Sequence, residues 1–149
     1  MTKIISGFGA VVTVLASNTF RGAGFPLTEF ADDADPFDLP SLNIAETAMS
    51  LNGEMLAWAK PNPIKLSISV VPSSLEDINL GILLEANRVG KGKQGARDII
   101  TINVVYPNNR FITFSEGIIT DGMPGDAISS AGRLKSKTYN FSFQNKTGI

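Results

Sequence analysis

The most constraining feature of this sequence is the segment Ile64–Arg88, whose pattern predicts a strand, a turn and a helix in direct succession. In its first half, apolar and polar residues alternate, and this period of two is typical of a half-buried β-strand. Pro72 cannot donate a hydrogen bond to a sheet and should end the strand. Ser73 then precedes Glu76 by three residues, which is the spacing of a capping box at the start of a helix. We therefore predict a helix over about residues 73–87.

The residues after this cap have the period of an amphipathic helix. The apolar positions that form its stripe, together with those that widen it, are Leu75, Ile78, Ile82, Ala86, Leu80, Leu83 and Leu84. We find no second helical pattern this clear. One helix set among strands narrows the possible folds considerably.

The other recognisable elements are strands. Candidate strands and hairpins cover Gly9–Thr19, Phe25–Phe30, Leu42–Lys60, Asp98–Tyr106, Arg110–Asp121 and Thr138–Gln144. The hairpin candidate Leu42–Lys60 contains Asn52-Gly53, the dipeptide that suits a type I′ turn. About seven strands and one flanking helix predict a mainly β fold, an antiparallel β-barrel or sandwich. With 149 residues, the chain is expected to form a single domain over residues 1–149.

Missing residue types exclude several kinds of chemistry. The sequence has no cysteine and no histidine, so it offers no thiol nucleophile, no Ser-His-Asp triad and no zinc site of the usual kind. The G-x-G-x-x-G spacing at Gly90–Gly95 follows a helix and precedes a strand, the reverse of a dinucleotide-binding turn. The aspartates of residues 32–38 lack the glycine and glutamate of an EF-hand loop. We expect no catalytic, metal or cofactor-binding site, no cofactor and no enzymatic activity.

Charge is unevenly distributed, although the net charge is only −1. Residues 1–59 hold two bases and seven acids, whereas residues 60–149 hold eleven bases and seven acids. Such a dipole suits head-to-tail self-association, although the two halves could equally pair within one subunit. We expect inter-subunit contacts at Asp32, Asp33, Asp35, Phe37 and Asp38 of an acidic loop and at Arg88, Lys91, Lys93 and Arg97 of a basic glycine-rich loop.

Three alternatives have less support in the residues. Residues 4–16 after Lys3 resemble a secretory signal, but glycines interrupt them, and they are too short to span a membrane. Trp58 and the acidic residues could serve a carbohydrate-binding or hydrolytic β-sandwich, although a lone tryptophan is more often a core or interface residue. A pI near 5.4 and a basic loop without aromatic residues do not favour specific nucleic-acid binding.

The order of these features resembles that of tail tube proteins of tailed bacteriophages, particularly those with contractile tails. The segments that carry the resemblance are GFPLTEFADDADPFD, NGEMLAWAKPNPIKLSISVVPSSLEDINLGILLEANR, DIITINVVYPNNRFITFSEGIITDG and KSKTYNFSFQN. They cover roughly residues 9–145 in order, as a pattern of strands and spacings that has no catalytic signature.

The resemblance implies a structural virion protein that is assembled in the cytoplasm of a bacterial host. Subunits of this family form hexameric rings that stack into an inner tail tube, a conduit for the tape-measure protein and the genome. The implied partners are further copies of the chain and the sheath, tape-measure and baseplate proteins, with DNA passing unbound and no membrane insertion. A tail-completion, baseplate or secretion-tube subunit of the same fold is the alternative.

The resemblance also directs attention to particular residues. Neutral side chains suit the wall of a conduit, and the candidates for a lumen-facing position are Thr138, Asn140, Ser142 and Gln144. In the family a long loop reaches onto a neighbouring subunit or ring. Either Ala31–Pro40 or the hairpin at residues 46–60 has the position for that role.

Overall fold

The computed structural model describes residue 5 and residues 9–20, 24–27, 30–31 and 35–148 of the chain. Its elements, in chain order, are β1 (Val11–Ala16), β2 (Phe25–Leu27), β3 (Phe37–Asp38), β4 (Ala45–Met49), β5 (Met55–Ala59), β6 (Ile64–Val70), α1 (Leu75–Asn87), β7 (Ile100–Val105), β8 (Phe111–Asp121) and β9 (Lys137–Gly148). The short strand β3 lies inside the stretch for which the sequence predicted only an acidic loop.

Seven of these strands form one antiparallel sheet in the order β2-β1-β7-β8-β9-β6-β3. The sheet curls into a half-barrel, and β4 and β5 form a separate two-stranded sheet. The predicted mainly β fold of about seven strands with one flanking helix is therefore confirmed. Its two edge strands are short: β2 has three residues and β3 has two. As a result, the residues Ile64–Leu66 of β6 have no strand partner on the side away from β9 in the described part of the chain.

The alternating strands bury one face, as their period of two requires. In β6, Leu66, Ile68 and Val70 are buried. In β9, Tyr139, Phe141 and Phe143 are buried, and Phe141 lies directly opposite Leu66 in the register. The core therefore lies on the concave side of the curled sheet, where these rows of apolar side chains meet.

The N-cap of the helix lies one residue later than the sequence pattern predicted. The N-cap is Ser74, whose hydroxyl accepts a hydrogen bond from the backbone N–H of Asp77 at 3.2 Å. The Asp77 carboxylate in turn accepts one from the backbone N–H of Ser73 at 2.9 Å. The capping pair is thus Ser74 with Asp77, and not Ser73 with Glu76. Ser73 has a positive φ of 65°, so it lies in the turn before the helix.

Only part of the predicted apolar stripe of the helix is buried. Leu80 and Leu83 have no exposed surface, whereas Leu75, Ile78 and Ile82 are exposed. The buried positions are spaced by three and four residues, so one narrow face of the helix contacts the sheet. An apolar ridge consequently remains on the outer face of α1.

Two buried polar clusters fix the helix to the sheet. At its N-terminus, the Tyr139 hydroxyl donates to the Asp77 carboxylate at 2.9 Å, and the Lys137 ammonium lies 3.3 Å from that carboxylate and 3.0 Å from Asp126. Burial lowers the pKa of Lys137, but its contacts with Asp126 and Asp77 outweigh this effect, so the pKa lies above the ordinary value. The contact with Asp126 also attaches the loop before β9 to the same cluster.

The second cluster is centred on Asp98, which is buried beside the C-terminus of the helix. Its carboxylate accepts hydrogen bonds from the backbone N–H groups of Asn18 and Thr19 at 2.7 and 2.8 Å, from the Thr19 hydroxyl, and from the Asn87 amide at 2.8 Å. Burial raises the pKa of Asp98, but these hydrogen bonds together outweigh burial, so the pKa lies below the ordinary value. The end of β1, the end of α1 and the start of β7 are therefore held at one charged group.

Candidate assembly surfaces

The hairpin of β4 and β5 projects from the half-barrel, and we call residues 44–60 the arm. Its two strands pair over five positions, from Ala45 opposite Ala59 to Met49 opposite Met55, and their main contacts are with each other. At the base of the arm, the Asn62 amide donates a hydrogen bond of 2.8 Å to the carbonyl of Asn43, which joins the segments before β4 and after β5. The arm therefore has little cover from its own subunit.

The turn of the arm differs from the predicted type I′ turn. The backbone N–H of Gly53 donates to the carbonyl of Ser50 at 3.0 Å, and the N–H of Ser50 donates to the carbonyl of Glu54 at 2.8 Å. Gly53 has a φ of 85°, whereas Asn52 does not have the positive φ that a type I′ turn requires. The loop consequently spans three residues, with glycine at the left-handed position.

Residues that lie directly opposite each other in a hairpin project on the same face. One face, the methionine face, consists of Ala45, Thr47, Met49, Met55, Ala57 and Ala59. The other, the tryptophan face, consists of Glu46, Ala48, Ser50, Glu54, Leu56 and Trp58. Met49 and Met55 are each 66% exposed, and Leu56 and Trp58 are 53% and 52% exposed. Large apolar side chains are thus open to solvent on both faces.

The sequence of the arm contains a signal for this exposure, which alternation alone does not detect. The segments AETAM and MLAWA place apolar residues at successive positions, so neither face is reserved for water. A strand that packs on a core from one side alternates instead. The exposed ridge of α1 likewise escaped prediction, because periodicity alone does not say which side of a helix meets the sheet.

The basic loop is only partly available to a partner. Arg88 forms a two-pronged ion pair with Glu85, at 2.9 and 3.0 Å, and hydrogen bonding to Glu85 raises the pKa of Arg88. The Lys93 ammonium donates to the carbonyls of Glu85 and Arg88, so it satisfies groups at the C-terminus of the helix. Lys91 and Arg97 are exposed, and neither forms an ion pair with any residue that the structure describes. These two cations are the ones left for a contact outside the subunit.

The acidic segment comprises Asp32, Asp33, Asp35 and Asp38, and its described part, residues 35–38, lies at the edge of the sheet. Asp32 and Asp33 fall outside the described residues. Asp35 and Asp38 are exposed, and no ion pair joins either one to another described residue. Phe37 is half-buried and packs against the core of its own subunit, since it lies opposite Ile68 in the register. Phe37 therefore holds the neighbouring Asp38 at the edge of the sheet.

The candidate lumen-facing residues lie on the polar face of β9. Thr138, Asn140 and Ser142 are half-buried, and Gln144 is exposed. Two of them form hydrogen bonds to β6: Ser69 and Thr138 share a hydrogen bond of 2.9 Å, and the Ser67 hydroxyl donates to Asn140 at 2.6 Å. Neutral hydroxyl and amide groups thus form a row on the face opposite the core. The exposed lysine Lys65 lies opposite Ser142 on this face.

Two of the depressions in the body are lined mainly by apolar surface. A cleft of about 420 Å³ lies between the C-terminus of α1 and β8, and its lining includes Val89, Arg97, Ile99 and Ile118. A groove of about 590 Å³ is lined by Gly9, Ala10, Val11, Val12, Leu27, Phe30, Pro36, Phe37, Val104 and Tyr106, none of which is charged.

Among the described residues, no group of three or more acids is placed to hold a metal ion. In that same part of the chain, no helix is long and apolar enough to cross a membrane.

Several solved structures share this fold. The chain matches a baseplate component of the anti-feeding prophage with 12% identity and a TM-score of 0.59, over 100% of this chain and 97% of that one. It matches the tube-terminating cap of the same particle with 12% identity and a TM-score of 0.56, over 100% and 93%. The sheath/tube terminator of the extracellular contractile injection system PVC matches with 10% identity and a TM-score of 0.54, over 99% and 98%.

Comparisons of the sequence give a second finding. No curated protein matches the chain. A family model described as tail fiber protein gp32 matches residues 3–147, which is nearly the whole sequence. With the shared fold, this match confirms the resemblance to contractile-tail proteins that the sequence indicated.

Proposed function

We propose that this chain, which belongs to the family of tail fiber protein gp32, is a non-enzymatic, ring-forming subunit of the inner tube of a contractile tail. In this proposal six copies form a ring, and rings stack into a conduit for a tape-measure protein and the genome. The sheath, tape-measure and baseplate proteins are the further partners. The protein acts in the virion tail after assembly in the cytoplasm of the host.

The observation that carries the proposal is the open half-barrel. A sheet that ends in strands of three and two residues leaves hydrogen-bonding groups of its longer strands without partners, as at Ile64–Leu66. Unpaired edges of this kind favour pairing with another chain. Pairing between neighbours around a ring removes every edge at once and turns several half-barrels into one continuous wall.

The polar face of β9 suits the inner wall of such a ring. Thr138, Asn140, Ser142 and Gln144 are uncharged, and two of them already form hydrogen bonds within the subunit. Passing DNA is retained mainly by cations that contact its phosphates. A wall of neutral side chains, with one lysine of each subunit nearby at Lys65, would let DNA pass without holding it.

Charge supports contact between subunits. Asp35 and Asp38 on one side and Lys91 on the other are exposed and form no ion pair with a described residue. We place the acidic segment, including Asp32 and Asp33, against Lys91 of a neighbouring subunit. Salt should then weaken assembly, because exposed ion pairs are screened.

A second candidate is a ring at one end of the tube, as in a tail-completion or baseplate protein. The three structures described above come from a baseplate, a tube-terminating cap and a sheath/tube terminator. The two candidates share the ring and differ in whether identical rings stack on one another.

Negative-stain microscopy of the purified chain tests both candidates. Six compact domains of this size should form rings on the order of 80–100 Å across. Tubes of unlimited length support the tube subunit, and rings that do not stack on each other support the tube-end subunit. A strictly monomeric protein at high concentration, even with nucleating tail components, would overturn both candidates.

A test of the charge contact uses the double variant Asp35→Lys and Asp38→Lys. It should assemble poorly at low salt, whereas its circular dichroism should match that of the unmodified chain because both residues are exposed. The matched control, Ser130→Lys, changes an exposed residue of the loop before β9. Normal assembly of the double variant would refute the charge contact and leave the ring proposal intact.

A further inference from the structure

The tip of the arm contains the one asparagine of this sequence that precedes a glycine, Asn52 before Gly53. Asparagine is chemically labile, because the backbone nitrogen of the next residue can attack its side-chain carbonyl carbon. A side chain on that next residue hinders the attack, and glycine has none. Asn52 is therefore the asparagine whose neighbour in the sequence favours this reaction most.

The structure leaves Asn52 accessible to this attack. Residues 51–54 are all exposed, and no residue that the structure describes forms a hydrogen bond with the Asn52 side chain. A Cβ placed on Gly53 would have no atom within 4 Å, so the space beside the Gly53 backbone is open. The site therefore has neither steric cover nor a partner that fixes the amide.

One backbone hydrogen bond opposes the reaction. The N–H of Gly53 donates to the carbonyl of Ser50 at 3.0 Å, and this bond must open before the nitrogen can attack. The turn is otherwise closed by two hydrogen bonds between Ser50 and Glu54, and the strands of the arm contact mainly each other. Because an isolated two-stranded hairpin is marginally stable, this turn should open without unfolding of the body.

The body contains a related dipeptide that the fold protects. Asp121 precedes Gly122, and an aspartate can close the same ring by loss of water. Asp121 is paired with Asn140 in the sheet, and a Cβ on Gly122 would lie 2.8 Å from both Leu84 and Tyr139. The backbone at Asp121 is thus held by pairing and packing, so ring closure there requires the sheet to open.

We propose that Asn52 is a site of spontaneous deamidation, which proceeds through a succinimide formed with Gly53. The Gly53 nitrogen forms a bond to Cγ of Asn52 and loses its proton, while the side-chain nitrogen leaves as ammonia. Water then opens the ring. Opening at Cγ gives aspartate, whereas opening at the α-carbonyl gives isoaspartate, in which the main chain runs through Cγ. The reaction consumes only water and does not depend on assembly of the chain.

Either product changes the tip of the arm. It adds one carboxylate beside that of Glu54, and the net charge of the chain changes by one unit, from −1 to −2. Isoaspartate also inserts one further backbone atom into a loop of three residues. The pairing of β4 with β5 should then weaken near Met49 and Met55, because the register of a hairpin depends on the length of its loop.

Peptide mapping of the aged protein tests this proposal. The full chain is incubated in its native state at neutral and at mildly alkaline pH, and parallel samples are incubated in urea. Digestion at acidic pH and mass spectrometry then measure the conversion of each asparagine amide to a carboxylate and the share of isoaspartate. In the native chain, conversion at Asn52 should exceed that at the exposed Asn108 by roughly tenfold or more, since Asn109 follows Asn108. Conversion should rise with pH, because the deprotonated nitrogen attacks.

Two variants show whether the ring with Gly53 is the route. Gly53→Ala adds a side chain beside the attacking nitrogen and should slow conversion at Asn52 about tenfold. Gly53 has a φ of 85°, which strains an alanine, so the second variant, Asn52→Gln, keeps the glycine of the turn. Its side chain is one methylene longer and would have to close a six-membered ring, so position 52 should show little conversion. Unchanged conversion in both variants would overturn the succinimide route.

The native and urea samples give the remaining outcomes. A native rate at Asn52 within about tenfold of the rate in urea supports the proposal, because it shows that the turn opens readily. A larger reduction would overturn it by showing that the hydrogen bond from Gly53 to Ser50 protects the site. Isoaspartate at Asp121 should form in urea and be scarce in the native chain.

Hydrogen exchange of the aged protein tests the consequence for the arm. Faster exchange within residues 45–59 of the converted fraction, with β6 and β9 unchanged, supports weakened pairing of the hairpin. Unchanged exchange in residues 45–59 would refute that weakening.

Discussion

The body of this molecule and its arm use apolar residues in opposite ways. In the body, Phe141 and Phe143 are almost fully buried in the core cluster of the curled sheet. In the arm, Met49, Met55 and Trp58 are exposed, because in the described part of the chain β4 and β5 have their main contacts with each other. Apolar residues of the body therefore stabilise the subunit, whereas those of the arm are available for contacts between subunits.

The largest difference should appear on truncation of one apolar side chain in each region. Phe141→Ala leaves a cavity in the core and should lower the free energy of unfolding by about 3–5 kcal/mol. Leu56→Ala removes an exposed side chain of the arm and should change it by about 0.5 kcal/mol or less. Urea unfolding at a concentration where the protein is monomeric gives both values. Similar losses in the two variants would contradict the distinction between body and arm.

Adding one methyl group to the body should also be costly. A Cβ at Gly117 would lie 2.2 Å from the Phe143 ring, so Gly117→Ala must displace a buried aromatic side chain. We expect a loss of about 1–3 kcal/mol in the free energy of unfolding. Gly125 has no atom within 4 Å of such a Cβ, and Gly125→Ala provides the control with little change. A neutral Gly117→Ala would show that the sheet is less tightly packed than these contacts indicate.

The response to acid should also distinguish the two regions. The pKa of Asp98 lies below the ordinary carboxyl value because its hydrogen bonds outweigh burial, so its stabilisation is complete above about pH 4 and is lost as the pH falls. Asp98→Asn should cost about 1–3 kcal/mol at pH 7 and flatten this loss. Glu54→Gln in the arm, at an exposed position, should change the free energy of unfolding at pH 7 by about 0.5 kcal/mol or less. An unchanged profile in Asp98→Asn would contradict the role of Asp98.

The smallest effect is expected at the one ion pair described within the arm. The Lys60 ammonium lies 3.8 Å from the Glu46 carboxylate, and both side chains are more than a third exposed. Lys60→Met should change the free energy of unfolding by less than about 1 kcal/mol, since exposed pairs stabilise little. The Lys137 side chain, which is only 12% exposed and lies between Asp77 and Asp126, gives the comparison in the body. If Lys137→Met costs no more than Lys60→Met, burial does not set the difference between the two regions.

Much of the fold was predictable because it follows from local chemistry. Residues that are close together in the chain determine three of its features by themselves. These are the alternation in β6 and β9, the end of β6 before the proline, and the cap before α1. The same reasoning placed the cap one residue early, because Ser73 and Ser74 are equally suitable by type and only the turn decides between them. That Phe37 lies at a subunit contact stays a prediction, and so do the inter-subunit contacts of the acidic loop and of the basic loop.

The sequence alone determined that the chain is a mainly β protein with one helix, and that it lacks the residues for thiol or histidine chemistry. These properties depend on residue type and on spacing along the chain. Only the tertiary structure decided which apolar residues are covered, because burial depends on what packs against an element from elsewhere. The tertiary structure thus decided which side of α1 meets the sheet and which partners bind Arg88 and Lys93. It also decided that both faces of the arm are exposed.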